Sequence, residues 1–174
     1  AAQPRLEQLE ARRFKSIDLR AHLNAARPFI LAMADRYDEA YTAGQASLSA
    51  LPSASPIADD FLRVAMANVT SVVTDTGKSQ RFIDAARAGS GATFITMYSE
   101  GMEGLLDYQA GRMQRATEKF AAAMAARTEI GQDYLTFDLW ATAGHIVVLY
   151  ENDQLDEAER IARTYLPMMM KATL

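Results

Sequence analysis

Four times along this 174-residue chain an amphipathic stretch runs into a short polar turn and then into a second amphipathic stretch. The turns lie at Asp35 to Ala40, Thr76 to Phe82, Ala110 to Ala116 and Asn152 to Ala158. Aligning Ala40, Phe82, Ala116 and Ala158 spaces the units by 42, 34 and 42 residues. Solenoids built from helix pairs repeat every ~34 to 47 residues. One such pair cannot bury its apolar face alone, so each is covered by its neighbours. The pattern predicts an all-α, right-handed α-solenoid of antiparallel helix pairs, with about four repeats in a single domain over 1–174.

Composition agrees with helices. Alanine supplies 32 residues, whereas valine and isoleucine together supply 14. Alanine is the best helix former, and β-branched residues favour strands. No segment alternates convincingly enough to read as a strand. The expected map has a first helix near Pro4 to Phe14, then pairs at 17–33/37–50, 57–74/78–88, 93–109/113–130 and 133–151/155–170. The repeats are therefore approximately 17–52, 57–88, 93–130 and 133–170.

The turns have a physical reading. Gly77 and Gly111 suit a left-handed helix C-cap, and Asn152 can do the same at greater cost. Asp35, Asp153 or a neighbouring polar residue can N-cap the second helix of a pair. Ala40, Ala116 and Ala158 sit one turn in, where a small residue lets two helices approach. Phe82 departs from this, so the second repeat is expected to pack less regularly. Pro52 and Pro167 are expected to end helices. Ser53-Ala54-Ser55-Pro56 and Ala88-Gly89-Ser90-Gly91 read as the loops between repeats.

Charge and residue types narrow the function. Lys and Arg total 18 against 22 Asp and Glu, a net charge of -4. Nucleic-acid binders carry a basic footprint, because phosphate neutralisation dominates their affinity. The most basic stretch here, Arg12-Arg13-Phe14-Lys15, is short, so direct nucleic-acid contact is not expected. There is no cysteine, which removes disulfides and thiol chemistry and fits a cytoplasmic location. The longest uncharged run, 40–58, contains Pro52 and Pro56 and does not read as a membrane span. The chain opens without Met and inside a helical pattern, which suggests a segment of a longer protein.

Several residue groups invite a chemical reading. Gly77-Lys78-Ser79 imitates the end of a phosphate-binding loop, but position 72 is Val where that motif needs Gly, and a helix precedes it instead of a strand. It reads as an inter-helix turn. His22 and His145 are the only histidines and lie in the first and fourth repeats, too far apart along a solenoid for one metal site. Asn68-Val69-Thr70 matches a glycosylation sequon inside a helix. Asp59-Asp60 and Glu100/Glu103 read as caps and solvated faces, and no catalytic site or metal site is expected.

Three segments together resemble a known family. Tyr150-Glu151-Asn152-Asp153-Gln154-Leu155-Asp156-Glu157-Ala158-Glu159-Arg160 is similar to a "Y-E-x-N-D-L-D-x-A-E" segment, with Gln154 between Asp153 and Leu155. Glu103 to Arg112 resembles an "E-G-L-x-x-x-x-G-R" turn. Leu19-Arg20-Ala21-His22-Leu23, with Asp38-Glu39-Ala40 and Leu51-Pro52, matches an earlier unit. The pattern resembles a tetratricopeptide-type solenoid, and more closely the sensor region of MalT-like, LuxR-family transcriptional regulators. The resemblance implies a helical-repeat sensor that binds a small-molecule effector or protein partner. It would relay that event to a nucleotide-binding module and a DNA-binding module outside this chain. ATP would belong to the parent protein; no cofactor is expected in this segment. The alternative is a generic tetratricopeptide scaffold for protein–protein contact, and an enzyme is a distant third.

Solenoids bind on the face lined by the first helix of each pair. Uncommon polar or aromatic residues there are the ligand-binding candidates: His22, Asn68, Tyr98, Glu103, Tyr108, Trp140 and His145. First helices poor in Lys and Arg disfavour docking of an acidic tail. Met168-Met169-Met170 is expected to form an adaptable apolar face at the C-terminal end, open to self-association.

Overall fold

The computed structural model describes residues 17–72, 75–130 and 139–173. These residues form eight helices and no strand. They are α1 (Ile17–Met33), α2 (Tyr37–Leu48), α3 (Pro56–Val72), α4 (Thr76–Arg87), α5 (Thr93–Gln109), α6 (Met113–Ile130), α7 (Leu139–Glu151) and α8 (Leu155–Thr173). The expected pairs are present, with ends within a few residues of the sequence reading. The expected helix at Pro4 to Phe14 and the start of the fourth pair, 133–138, lie outside the described residues.

The chain divides into two compact units, 1–91 and 92–174. In the first unit α1 pairs with α2 and α3 with α4, while α3 also packs on both α1 and α2. This central position explains why 12 of the 17 residues of α3 are buried. The second unit repeats the scheme. There α5 pairs with α6 and α7 with α8, while α7 packs on both α5 and α6.

Each helix pair closes through the same backbone bond. The N–H of Arg36, Asp75, Arg112 and Gln154 donates to the carbonyl five residues back, on Leu31, Thr70, Asp107 and Leu149, at 3.0, 3.1, 2.8 and 2.9 Å. This bond satisfies a carbonyl that the helix end would leave bare. In three of these turns the residue just before the donor is left-handed: Asp35, Gly111 and Asp153, with φ of 61°, 72° and 59°. Aspartate visits this region more readily than most residues because its side chain is short and polar. The sequence assigned the role to Gly77 and Asn152; Gly77 instead lies within α4, and Asp153 takes the left-handed position.

The turn bond also fixes the register of the second helices. The residue four beyond each donor is Ala40, Ser79, Ala116 and Ala158, and all four are buried. Ser79, not Phe82, is therefore the partner of the three alanines, and the spacings become 39, 37 and 42 residues. A buried hydroxyl needs partners. Ser79 Oγ lies 2.8 Å from Thr70 Oγ1 and donates to the Ala67 carbonyl at 3.0 Å. Phe82 instead packs on the cluster of Ala25, Ala58, Leu62 and Met66.

Close helix approach uses glycine differently in the two units. Gly44 on α2 leaves room for Met66 on α3, whereas on α6 Phe120 occupies the position of Gly44 and meets Gly104 on α5 and Gly144 on α7. The large side chain has moved from one helix to the other. Pro167 does not end α8, which runs to Thr173, and Pro28 lies inside α1. Each proline removes one intrahelical bond without stopping its helix. Pro52 does follow the end of α2. The side chains of Met168, Met169 and Met170 lie outside the described residues, as does the apolar face expected of them.

Candidate functional site: a repeated face on the first helices

The turn carbonyls give a common origin for the first helix of each pair. Nine residues before it stand His22, Phe61, Tyr98 and Trp140. Two residues before it stand Phe29, Asn68, Leu105 and Val147. Positions seven apart lie on one helical face, two turns along. Four of the seven candidates, His22, Asn68, Tyr98 and Trp140, thus share one face of their helices. Phe61 belongs to the same set but is not among the seven candidates.

In the first unit this face is partly filled. The rings of Phe29 on α1 and Phe61 on α3 meet with centroids 5.8 Å apart, tilted by 54°. The tilt avoids the unfavourable face-to-face sandwich. His22 is exposed on α1, and Asn68 is buried on α3. Val69 and Thr70 are buried with it, so the sequon is not displayed. In the second unit Tyr98 is buried on α5, edge-on to Phe94 at 6.4 Å. Trp140 and Val147 remain 37% and 39% exposed on α7. An indole and a valine on one open face offer apolar contact area together with one N–H donor.

A second register, four residues before the turn carbonyl, holds Arg27, Met66, Glu103 and His145. Glu103 and Glu100 on α5 clamp Lys119 on α6, with carboxylate oxygens 2.6 and 3.0 Å from Nζ. Burial disfavours the Lys119 charge, but hydrogen bonds to Glu103 and Glu100 outweigh it and raise the pKa. Lys119 is thereby held protonated, which suits anchoring rather than proton abstraction. Among the described residues, His145 Nδ1 is buried without a hydrogen-bond partner. Burial pushes the His145 pKa down, against the opposing charge of Glu157. Tyr108 lies half-buried near the end of α5, in the register of the exposed Tyr150 on α7.

The seven candidates divide between the two units. His22 and Asn68 belong to the first unit. Tyr98, Glu103, Tyr108, Trp140 and His145 lie on the packed pair α5 and α7 of the second. Among the described residues, no group of three or more acids or histidines is placed to hold a metal ion. None of the described helices is long and apolar enough to cross a membrane.

The phosphate-loop mimic has a structural role. Asp75 caps α4 by accepting the Lys78 N–H at 2.9 Å, and Lys78 Nζ lies 3.0 Å from the same carboxylate. The backbone bond from Lys78, followed by its side-chain bond, lowers the Asp75 pKa. An anion already sits where a phosphate would. Comparison with protein-family models, curated proteins and solved structures gives no match.

Proposed function

We propose that this chain is a tetratricopeptide-like helical-repeat recognition module. On its motif resemblance, we read it as the sensor segment of a LuxR-family, MalT-like regulator. The observation that carries the reading is the shared register. Four turns closed by the same bond place His22, Phe61, Tyr98 and Trp140 at one position of successive first helices. A repeated face of this kind is how helical-repeat proteins build a binding surface.

The chemistry of the face favours an occupant with apolar or aromatic groups in each unit taken by itself, because Phe29 and Phe61 in the first and Trp140 and Val147 in the second offer little charge. This supports a small effector or an apolar peptide over an acidic tail. In the sensor reading, the effector acts by binding one arrangement of the parent protein more tightly than another. The test is a thermal-shift screen of the chain against a metabolite panel, repeated on Trp140→Ala and Phe61→Ala. A binder should raise the melting temperature of the native chain. Its effect should shrink at least fivefold in one variant. A panel whose binders act equally on all three proteins rejects this face as the site.

A further inference from the structure

Within the second unit, α7 packs on its neighbours over most of its circumference. Ala141 faces α5, where a β-carbon added to Gly101 would stand 3.1 Å from its own. Gly144 faces Phe120 of α6. Leu149, with Ile146, packs on Ala158 and Ile161 of α8. The remaining side carries Trp140, Ala143, Val147 and Tyr150, which fall within an arc of about 80°. No charged residue lies inside that arc; Glu151, the last residue of the helix, falls just outside it. Trp140, Val147 and Tyr150 are 37%, 39% and 66% exposed.

The same registers on α1 and α5 show what this side of a first helix receives. Six residues before the turn carbonyl, Ala143 has Ala25 and Gly101 as its equivalents. Ala25 clusters with Ala58, Leu62 and Met66 of α3, and Gly101 meets Ala141 of α7. The equivalent of Val147 on α1 is Phe29, whose ring meets Phe61 of α3. In each unit, then, this side of the leading first helix holds the other first helix. A small residue at the centre, Ala25 or Gly101, permits the close approach, and Ala143 stands ready to do the same on α7.

The order of residues in the stripe selects the helix that fits it. Spacings of three, four and three are those of a coiled-coil seam. The stripe is also symmetric about its midpoint, because 140 and 150, and 143 and 147, lie equally far from residue 145. An antiparallel second copy therefore sets Trp140 against Tyr150 and Ala143 against Val147, and each pairing occurs twice. Two aromatic pairs close the ends, small and β-branched residues meet in the middle, and no charge is buried in the seam. A contact of this kind uses the same patch on both partners and closes at two copies.

We propose that α7 is a homodimerisation helix, packing through Trp140, Ala143, Val147 and Tyr150 on α7 of a second copy, antiparallel about a two-fold axis. This names the partner of the second unit's part of the recognition face and rests on that reading. Four residues on one helix make a small interface, so the dimer belongs with weak contacts that bury less than about 1,200 Å² in total. A compound seated on Trp140 competes with the second copy and shifts the chain toward monomer.

Sedimentation velocity of the full chain from about 5 to 500 µM covers the range in which so small an interface associates. The native chain should pass from monomer to dimer and go no further. Val147→Lys and Tyr150→Ala alter exposed positions and should keep the native helix content, and each should weaken the dimer at least tenfold. The two-fold pairing has its own test. Ala143→Glu and Val147→Lys should each associate poorly alone, whereas mixing the two chains sets the new carboxylate opposite the new ammonium and should strengthen association at least tenfold. A chain that stays monomeric throughout, association left unchanged by both Val147→Lys and Tyr150→Ala, or a mixture no stronger than its parts would each overturn the proposal. A monomeric chain whose Trp140 emission still responds to a compound rejects this partner and keeps the recognition face. A dimer whose emission responds to no compound supports the partner and rejects the effector.

Discussion

Phe120 fills the space that a β-carbon on Gly144 would need. The ring is also close to Gly104, whose added β-carbon would stand 2.8 Å from Cδ1 and Cε1. A fully buried ring between two glycines cannot retreat. Gly144→Ala should therefore destabilise the second unit by about 1–3 kcal/mol, the usual cost of overpacking. Alanine's better helix propensity offsets part of that, by about 1 kcal/mol. Gly44→Ala meets the Met66 thioether, a flexible side chain, and should cost less. Urea denaturation of both variants tests this order, and the reverse order contradicts it.

The register of the second repeat can be tested separately. Ser79→Ala leaves Thr70 its bond to the Met66 carbonyl at 2.7 Å and should cost no more than about 1 kcal/mol. Ser79→Leu forces a large side chain into the contact shared by Ala40, Ala116 and Ala158 and should be far more damaging. If the leucine variant is as stable as the alanine variant, Ser79 does not occupy that contact.

Much of the fold was legible because helix periodicity and turn chemistry are local. Seven of the eight described helices begin within about two residues of the expected positions; the exception is α7, whose expected start lies outside the described residues. The second repeat failed at one step. Gly77 reads as a helix-ending glycine, but Asp75 accepts the Lys78 N–H and starts α4 before it. That moved the apparent contact residue from Ser79 to Phe82. The exchange of large and small residues between Gly44/Met66 and Phe120/Gly144 was not legible at all. It depends on residues that meet only after the helices stack.

Asp60 is another long-range device. Its carboxylate, 1% exposed, accepts the Ser90 N–H and pairs with Arg63 at 2.7 Å. It also lies where a β-carbon on Gly89 would stand. The loop after α4 is thus tied back to α3. Asp60→Ala leaves the Ser90 N–H and part of Arg63 without this partner, and about 1–3 kcal/mol of stability should be lost. Hydrogen exchange at Ser90 should rise in parallel. Unchanged stability and unchanged exchange at Ser90 would show that the tie contributes nothing.

Acid should weaken the second unit through His145. Burial lowers its pKa below the ordinary 6.5. Just below pH 6.5 the unfolded chain therefore binds more protons than the folded one, and stability rises with pH across that window. Read downwards, stability is lost as pH falls from 6.5 through the lowered folded value. Glu157, whose pKa is also lowered, first by its bond from Arg160, acts below its ordinary 4.5. Comparing His145→Gln with the native chain between pH 5 and 7 isolates the histidine. The variant should have the flatter profile, and identical slopes would contradict the assignment.

Trp140 is the only tryptophan of the chain and stands on the repeated face. Its fluorescence therefore reports directly on occupancy there. The decisive measurement is titration of Trp140 emission with each compound that raises the melting temperature of the chain. Binding at the face predicts a saturable shift in emission whose midpoint weakens at least fivefold in Tyr98→Ala or Val147→Ala. Stabilising compounds that leave Trp140 emission unchanged, or that titrate identically in both variants, would contradict it.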